Sequence, residues 1–556
     1  MRLAHPDPHS LPRPAQRWTW RWGLVLLLVL SAAAWLRLAG IAWGLPDATH
    51  PNYSFHPDEA FHLQWARMLV AGELVPQHFM YGGTLHYTVL NAAYRYGNLL
   101  AATLGAFNPL ASAIASARYC AAVFSLLTIV LVAATGARLF DARTGCIAAL
   151  VMALAPAPVF LAQNLRPDQL ASLFAALLCW QAALIYTGTT RDDRRLFLLA
   201  GLAVGLAVAL RFPLIAFGIA PLAGWLCRPA AEPRRLASLG RLGGLLVLGA
   251  LAGYALGSPH TLLHWQAALD GLRLQQGYQQ GPFLDTLDDS GTVWHVLWLL
   301  PREALGTPFY LLALGGMGLG LWYRRRALWL LMASVLPYWL GTTLVSWTVM
   351  RYGLPATPVL ALLAAAGLCE VAACGRRGWA LATVLLAGAV LWTGLADVAF
   401  LNVQATTNVR DQVAAWLAAR ATPTSSYVSF RLYALEDFYA PATPSGHYAA
   451  SLDVTGTADP LVVENKRDPL ITDLIVPEPL YRGLDRWGAV HPHRGAQRLH
   501  QLLRANGAYR LEREFKVPVM LLGRDFSTLF RSQDFFIINP GFRLYHRVED
   551  ASPDAP

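Results

Sequence analysis

An α-helical polytopic membrane protein with a C-terminal extracytoplasmic α/β domain is the fold class this sequence predicts. Three observations predict it. Charged residues make up 14% of the chain and hydrophobic residues 55%, where a soluble domain carries about 25% charge. The apolar residues gather in runs of about 20, the length a helix needs to cross a bilayer. From about residue 402 the composition becomes that of a soluble domain. The expected organisation is a cytoplasmic N-terminus over 1–21, a transmembrane domain over 22–401 and an extracytoplasmic domain over 402–556.

Residues 1–21 are polar and carry Arg2, Arg13, Arg17 and Arg21. The first span follows over 22–43. Arg37 interrupts it and is expected to snorkel toward an interface. A cleaved signal peptide, helped by Ala32-Ala33-Ala34, is the alternative, and the many similar spans that follow weigh against it. Further runs lie near 113–138, 144–163, 168–187, 196–210, 212–227, 241–257, 305–323, 327–346, 353–374 and 378–399. Together they predict about eleven transmembrane helices.

The arginines orient these spans. Arg138/Arg143, Arg191/Arg194/Arg195, Arg228/Arg234/Arg235, Arg324/Arg325/Arg326 and Arg376/Arg377 all fall on the side of the N-terminus. That is the positive-inside pattern, so the N-terminus is cytoplasmic and the C-terminus lies outside. The net charge of +10 therefore reports topology and not a nucleic-acid partner. Of 44 basic side chains two are lysines, Lys466 and Lys516. Neither sits in a G-x-x-x-x-G-K-[ST] loop, which removes pumps of the P-loop type. The six cysteines lie in or beside apolar runs, so the C-terminal domain has no disulfide framework.

Two outer loops are long, near 44–112 and 258–304. Short outer connections lie around Asn164–Asp168, around Arg211-Phe212-Pro213 and at 346–352. In the C-terminal domain, 409–420 and 495–506 read as amphipathic helices. The segments 427–432, 509–517 and 542–548 read as strands. The tail 551–556 is expected to be disordered.

The first outer loop holds F-H-P-D-E-A-F-H-L-Q-W-A-R-M-L. Asp58 and Glu59 follow Pro57, where a helix would start, and Phe61, Trp65, Met68 and Leu69 recur at helical spacing. The plain alternative is that both acids only complement the helix dipole. Asp168 opens a span in L-R-P-D-Q-L, and a helix cap paired with Arg166 is its plain alternative. Arg211 lies in an almost loop-free turn, A-L-R-F-P. Arg351 lies in V-M-R-Y-G-L-P-A-T-P, on the outer side and against the positive-inside trend. Arginine offers a permanent charge and a fork suited to phosphate; snorkelling to lipid headgroups is the alternative for each. Asp58, Glu59, Asp168, Arg211 and Arg351 come from distant parts of the chain, and the topology gathers them at the outer face. A pore or proton relay would instead place charges within the spans. His56, His62, His78 and His86 lie in the first loop, and His260, His264 and His295 in the second. No H-E-x-x-H, C-x-x-C or G-x-S-x-G accompanies them. No metal ligand is assigned and no cofactor is required, with a divalent cation left open.

These residues together resemble the polyprenyl-phosphate-dependent glycosyltransferases of the GT-C superfamily, family 39 type, which includes protein O-mannosyltransferases and lipid A aminoarabinose transferases. The likeness rests on H-P-D-E followed by A-R-x-L-x-x-G-E-L-x-P, then F-M-Y-G-G-T-L-H-Y. It continues in G-L-A-V-G-L-A-V-A-L-R at 201–211, G-S-P-H-T-L-L at 257–263, R-Y-G-L-P-A-T-P at 351–358 and T-T-N-V-R-D-Q-V-A-A-W-L at 406–417. It spans about 30–420. One departure is Gly82-Gly83, where many relatives have a proline pair or Pro-Ser.

The resemblance implies a GT-C type fold and an integral membrane glycosyltransferase. Such an enzyme moves a sugar from a polyprenyl-phosphate donor to a lipid, glycan or protein acceptor at the outer face. It implies the catalytic carboxylate for Asp58, with Glu59 beside it, and the second outer carboxylate for Asp168. Arg351 and Arg211 match positions where a basic residue would face the donor phosphate. His56, Tyr81 and His86, from the histidine- and aromatic-bearing loop, would line the sugar pocket. The leaving phosphate needs positive charge and the acceptor hydroxyl needs a base. One carboxylate acting once implies inversion. A transporter or flippase of lipid-linked sugars and an inactive assembly or lipid-binding protein of the same fold are the competing readings. With no organelle signal in view, the expected location is a bacterial plasma (inner) membrane, as part of cell-envelope glycan synthesis or protein O-glycosylation.

Overall fold

The computed structural model describes residues 19–47, 54–104, 108–188, 192–229, 236–280, 293–344, 349–406, 408–431, 443, 448–453, 471–487, 494–504, 509–527, 535 and 539–548. Arg2, Arg13, Arg17, Arg191, Arg234, Arg235 and the tail 551–556 lie outside the described residues. The chain divides into two units. Unit 1 comprises Met1–Asn52, Asp58–Gln280 and Gly291–Val398. Unit 2 comprises Tyr53–Pro57, Gly281–Ser290 and Ala399–Pro556.

Unit 1 is helical. Helix α1 spans Trp20–Leu38, α2 Pro57–Ala71, α3 Leu85–Leu104, α4 Pro109–Leu139, α5 Ala142–Leu154 and α6 Pro156–Leu161. Then come α7 at Asp168–Thr187, α8 at Asp193–Leu210, α9 at Ile219–Cys227, α10 at Leu236–Gly257, α11 at Pro259–Leu263 and α12 at Trp265–Gln280. The last group is α13 at Leu300–Leu305, α14 at Thr307–Tyr323, α15 at Arg326–Thr342, α16 at Met350–Gly353, α17 at Thr357–Ala373 and α18 at Arg376–Ala405. Caps fix several starts. Asn108 accepts from the Leu110 and Ala111 amides at α4, and Asp141 from the Thr144 amide at α5.

Among the described residues, six helices are long and apolar enough to cross a membrane. The other expected spans are helical as well, but shorter or interrupted. The run 144–163 divides into α5 and α6 because Ala155 is extended ahead of Pro156. The run 212–227 opens as a 3-10 turn at Phe212–Gly218 and becomes α9 after it. The first outer loop, expected to lack a span, holds a 20-residue helix, α3. Its Tyr, His, Asn and Arg residues keep it less apolar than a membrane span, while Tyr87, Leu90 and Ala93 form its buried face.

Arg37 does not snorkel. It is fully buried and donates to Ser125 Oγ at 2.7 Å and to the carbonyls of Ala33, Ala153 and Met152 at 3.0–3.1 Å. The break at Pro156 explains this. Proline has no N–H to give the Met152 carbonyl, so that oxygen is left for the guanidinium. The glycines of the stretch 201–211 have a packing reason. A Cβ at Gly205 would overlap the Ala250 carbonyl, and one at Gly253 the Leu202 carbonyl. Glycines thus let α8 and α10 pack backbone to backbone, the small-residue packing that membranes favour.

Unit 2 is α/β. Strand β1 spans Ser426–Arg431, β2 Tyr448–Asp453, β3 Asp473–Pro477 and β4 Tyr509–Phe515. A small hairpin pairs β5, Met520–Leu521, with β6, Arg524–Asp525, and β7 covers Phe542–Arg547. The main sheet has order β2-β1-β3-β7-β4, with β1 parallel to β2 and β3, and β7 antiparallel to β3 and β4. Helix α19, Val409–Arg420, packs Val409, Val413 and Leu417 on the face carrying Tyr427, Ile475, Phe542 and Leu544. Helices α20, Glu478–Trp487, and α21, Arg494–Leu502, cover the other face through Leu480, Leu484 and Leu499. The expected strands and helices are present, and β2 and β3 are additional. Leu432 and residues 505–506 of the expected elements lie outside the described residues.

Candidate active site

Pro57 starts α2 and puts Asp58 and Glu59 in its first turn. The two acids then diverge. Glu59 is fully buried and takes a two-pronged bond from Arg118 of α4, Nε to Oε1 at 2.8 Å and Nη2 to Oε2 at 2.7 Å. The Leu165 amide adds a third bond to Oε1 at 2.9 Å. Arg118 also donates to the carbonyls of Ile41 and Trp43, each at 2.7 Å. This pair ties the start of α2 to α4, to the end of the α1 segment and to the turn before α7.

Asp58 keeps about a quarter of its side chain exposed and pairs with Arg166 Nη1. Arg166 also bonds Asp168 through Nε at 3.0 Å. Asp168 is fully buried, and its other oxygen pairs with Arg211 Nη1. The Arg211 guanidinium lies over the Tyr352 ring, 4.8 Å from its centroid. Asp58, Arg166, Asp168, Arg211 and Tyr352 thus form one continuous line. Arg351 is buried beside it and acts electrostatically on Asp168. Locally, Arg211 is extended where α8 stops (φ −157°, ψ 115°), and Met350–Gly353 is a single helical turn. Arg211 therefore leaves its helical run at the site, while Arg351 sits in the first turn of a helical run that continues to Ala373.

A second group borders this line. His62 Nδ1 is 2.6 Å from His86 Nε2, and His62 Nε2 is 3.2 Å from the Tyr81 hydroxyl. Desolvation pushes the Tyr81 phenol up to about 12, against the pull of Arg166, Arg351 and Arg211, so it remains an O–H group at neutral pH. Tyr81 is held by the Phe212 amide, which donates to its carbonyl at 2.7 Å. The Gly82-Gly83 pair fits the same contact. Gly82 has φ +113°, and a Cβ at Gly83 would lie 2.6 Å from the Ala209 carbonyl. The glycines bring this loop onto the end of α8, so their departure from the resembled pattern has a packing reason.

Burial and the facing His62 hold the His86 ring well below its ordinary value. The folded protein resists protonation that the unfolded chain accepts below about pH 6.5. Stability is undiminished by His86 above that pH and falls as pH drops through it. The melting temperature is expected to fall between pH 7.5 and 5.5, and His86→Gln to flatten that slope. Identical slopes in the two proteins would remove His86 from the effect.

The structure brings Asp58, Asp168, Arg211, Arg351, Tyr81 and His86 into one neighbourhood and sets Glu59 behind it, bound to Arg118. His56 is buried and belongs to unit 2, where Ser54 donates to its carbonyl at 3.1 Å. Arg166, His62, Tyr352 and Arg118 were not singled out as site residues from the sequence. Arg166 was read only as a cap partner. Its signal was present, an arginine two residues before an acid at a proline turn. Chemically, the line offers carboxylates beside guanidinium groups with one net positive charge among Asp58, Arg166, Asp168, Arg211 and Arg351. That suits an anionic group reacting next to a hydroxyl.

Residues 100–261 match the family model described as dolichyl-phosphate-mannose-protein mannosyltransferase. No curated protein matches the chain in sequence. Among solved structures, ArnT from Cupriavidus metallidurans bound to undecaprenyl phosphate superposes with a TM-score of 0.51 at 14% identity, over 97% of this chain and 100% of that one. AglB from Archaeoglobus fulgidus, in complex with an inhibitory peptide and a dolichol-phosphate, gives 0.48 at 12% identity, over 87% and 72%. The Pmt1-Pmt2 complex of S. cerevisiae bound to the sugar donor gives 0.35 at 16% identity, over 46% and 35%. At this identity the ArnT likeness is one of fold.

Proposed function

We propose that this chain, which has the fold of the GT-C glycosyltransferase superfamily, moves a sugar from a polyprenyl-phosphate donor to a hydroxyl of a lipid, glycan or protein acceptor. The reaction runs at the outer face of a bacterial inner membrane, with the N-terminus inside. The observation that carries the reading is the buried Asp58–Arg166–Asp168–Arg211 line with Arg351 beside it. Arg351 and Arg211 receive the donor phosphate and stabilise it as the glycosidic bond breaks. Asp58, the partly exposed acid of the line, takes the acceptor proton, and the acceptor oxygen displaces the phosphate with inversion. Asp168 holds Arg166 and Arg211 in place. Arg166 neutralises Asp58 at rest; a phosphate that draws on Arg166 and Arg211 loosens that pairing and leaves Asp58 the stronger base. Tyr81 and His86 border the sugar. Glu59 acts through Arg118 as a positioning residue. His56 remains a sugar-pocket candidate on sequence grounds.

The test is native mass spectrometry of the detergent-purified protein with and without added polyprenyl phosphate. The wild type is expected to carry one polyprenyl-phosphate adduct, and Arg351→Ala to bind it at least tenfold more weakly. A well-folded wild type that binds no polyprenyl phosphate even in excess would overturn the donor assignment.

A further inference from the structure

Unit 2 carries a separate cluster with different chemistry. Asp473 opens β3 and pairs in register with His546 of β7, so the two share one sheet face. His546 Nδ1 lies 2.9 Å from Asp473 Oδ1. Glu512 arrives from β4 on the other side of β7. There Arg510 pairs with His546 and Arg513 with Leu544, so β4 uses three residues where β7 uses two. Bulges of this kind re-aim a side chain, and this one turns Glu512 toward the pair. One donor atom from each of Asp473, Glu512 and His546 lies within 4.8 Å of the others.

The surroundings hold the donors ready. Thr472 Oγ1 bonds Asp473 Oδ2 at 2.7 Å, which leaves Oδ1 turned toward the imidazole. Helix α19 covers this face of the sheet up to Arg420, its last residue. Arg420 pairs with Glu512 and also lies over the Trp416 ring at 4.7 Å. The guanidinium thus keeps a resting place if Glu512 turns to another cation.

We propose that Asp473, Glu512 and His546 form a binding site for a divalent cation of the zinc class. One imidazole nitrogen with two carboxylate oxygens suits zinc. In a tetrahedral site with bonds of about 2.0–2.1 Å the donors sit roughly 3.3 Å apart; the donors here, 2.9 Å apart in one pair and all within 4.8 Å, need only small rotations. Calcium and magnesium want six or more oxygens, which this cluster does not offer. The bound cation would link β3, β7 and β4, and three protein ligands leave a fourth position open to water or a ligand.

The full-length protein in detergent, stripped with chelator, is titrated with Zn2+ against a chromophoric chelator, and in parallel with Co2+ and Ca2+. The wild type is expected to bind one more Zn2+ than His546→Ala, with affinity at least tenfold weaker in Glu512→Gln and tetrahedral Co2+ absorption in the wild type alone. Its melting temperature should rise with Zn2+ and that of His546→Ala should not. His546 is about half exposed, so its loss leaves the sheet core intact, and Asp473→Asn gives a second reading. Equal Zn2+ uptake in wild type and all three variants overturns the proposal. A response to Ca2+ equal to that to Zn2+ overturns the cation class.

Discussion

An Asp58→Asn variant is expected to lose sugar transfer by about 10²–10⁴-fold while still folding and still holding the donor lipid. Asparagine keeps the shape of the side chain and an oxygen for Arg166, so the line to Asp168 and Arg211 survives. What it removes is the proton acceptor. The measurement is release of polyprenyl phosphate from a polyprenyl-phosphate sugar in proteoliposomes, beside native mass spectrometry of the bound lipid. Loss of turnover with the adduct retained assigns Asp58 to the chemical step. Full turnover in a folded Asp58→Asn protein sinks that assignment and moves the base elsewhere.

The largest effect on stability should come from the other acid of the pair. Arg118→Ala leaves the Glu59 carboxylate buried with the Leu165 amide at 2.9 Å, and leaves the Ile41 and Trp43 carbonyls without their bonds from Arg118. Breaking a buried ion pair on one side costs about 3–5 kcal/mol. The variant should melt far below the wild type or aggregate on extraction. The double variant Glu59→Gln/Arg118→Met should recover part of the loss, because neither partner is then a stranded charge. An Arg118→Ala protein that melts with the wild type would contradict the anchoring role.

The candidate residues were legible from their oddity. Asp168, Arg211 and Arg351 stand out as charges at the ends of apolar runs and Asp58 as an acid just after a proline, and the structure sets Asp58, Asp168 and Arg211 along one line with Arg351 beside it. The roles within that set were less legible. Asp58 and Glu59 are neighbours with the same chemistry, and the first turn of α2 points one at Arg166 and the other at Arg118. Nothing local separates them; the partners lie 59 and 108 positions away. Arg37 misled for the same reason. Snorkelling is what an isolated helix allows, whereas the acceptors that hold Arg37 include Ser125 on α4 and the Ala153 and Met152 carbonyls on α5, the last left unclaimed by Pro156. In unit 2 the strands β1, β4 and β7 were legible from their β-branched and aromatic residues, but the meeting of Asp473, Glu512 and His546 depends on register and one bulge.

The sequence by itself determined the membrane class, the helical character of the apolar runs, the α/β region toward the C-terminus and the list of unusual charges. Hydropathy, proline starts and caps act within a few residues, so they can be read along the chain. The tertiary structure decided that α8 and α10 touch backbone to backbone, that Arg166 joins two carboxylates, and that Glu59 is an anchor where Asp58 stays partly open. Those outcomes come from pairings between distant segments. In a dry interior each charge must find its partner wherever the fold brings one within reach, and sequence order does not record that distance.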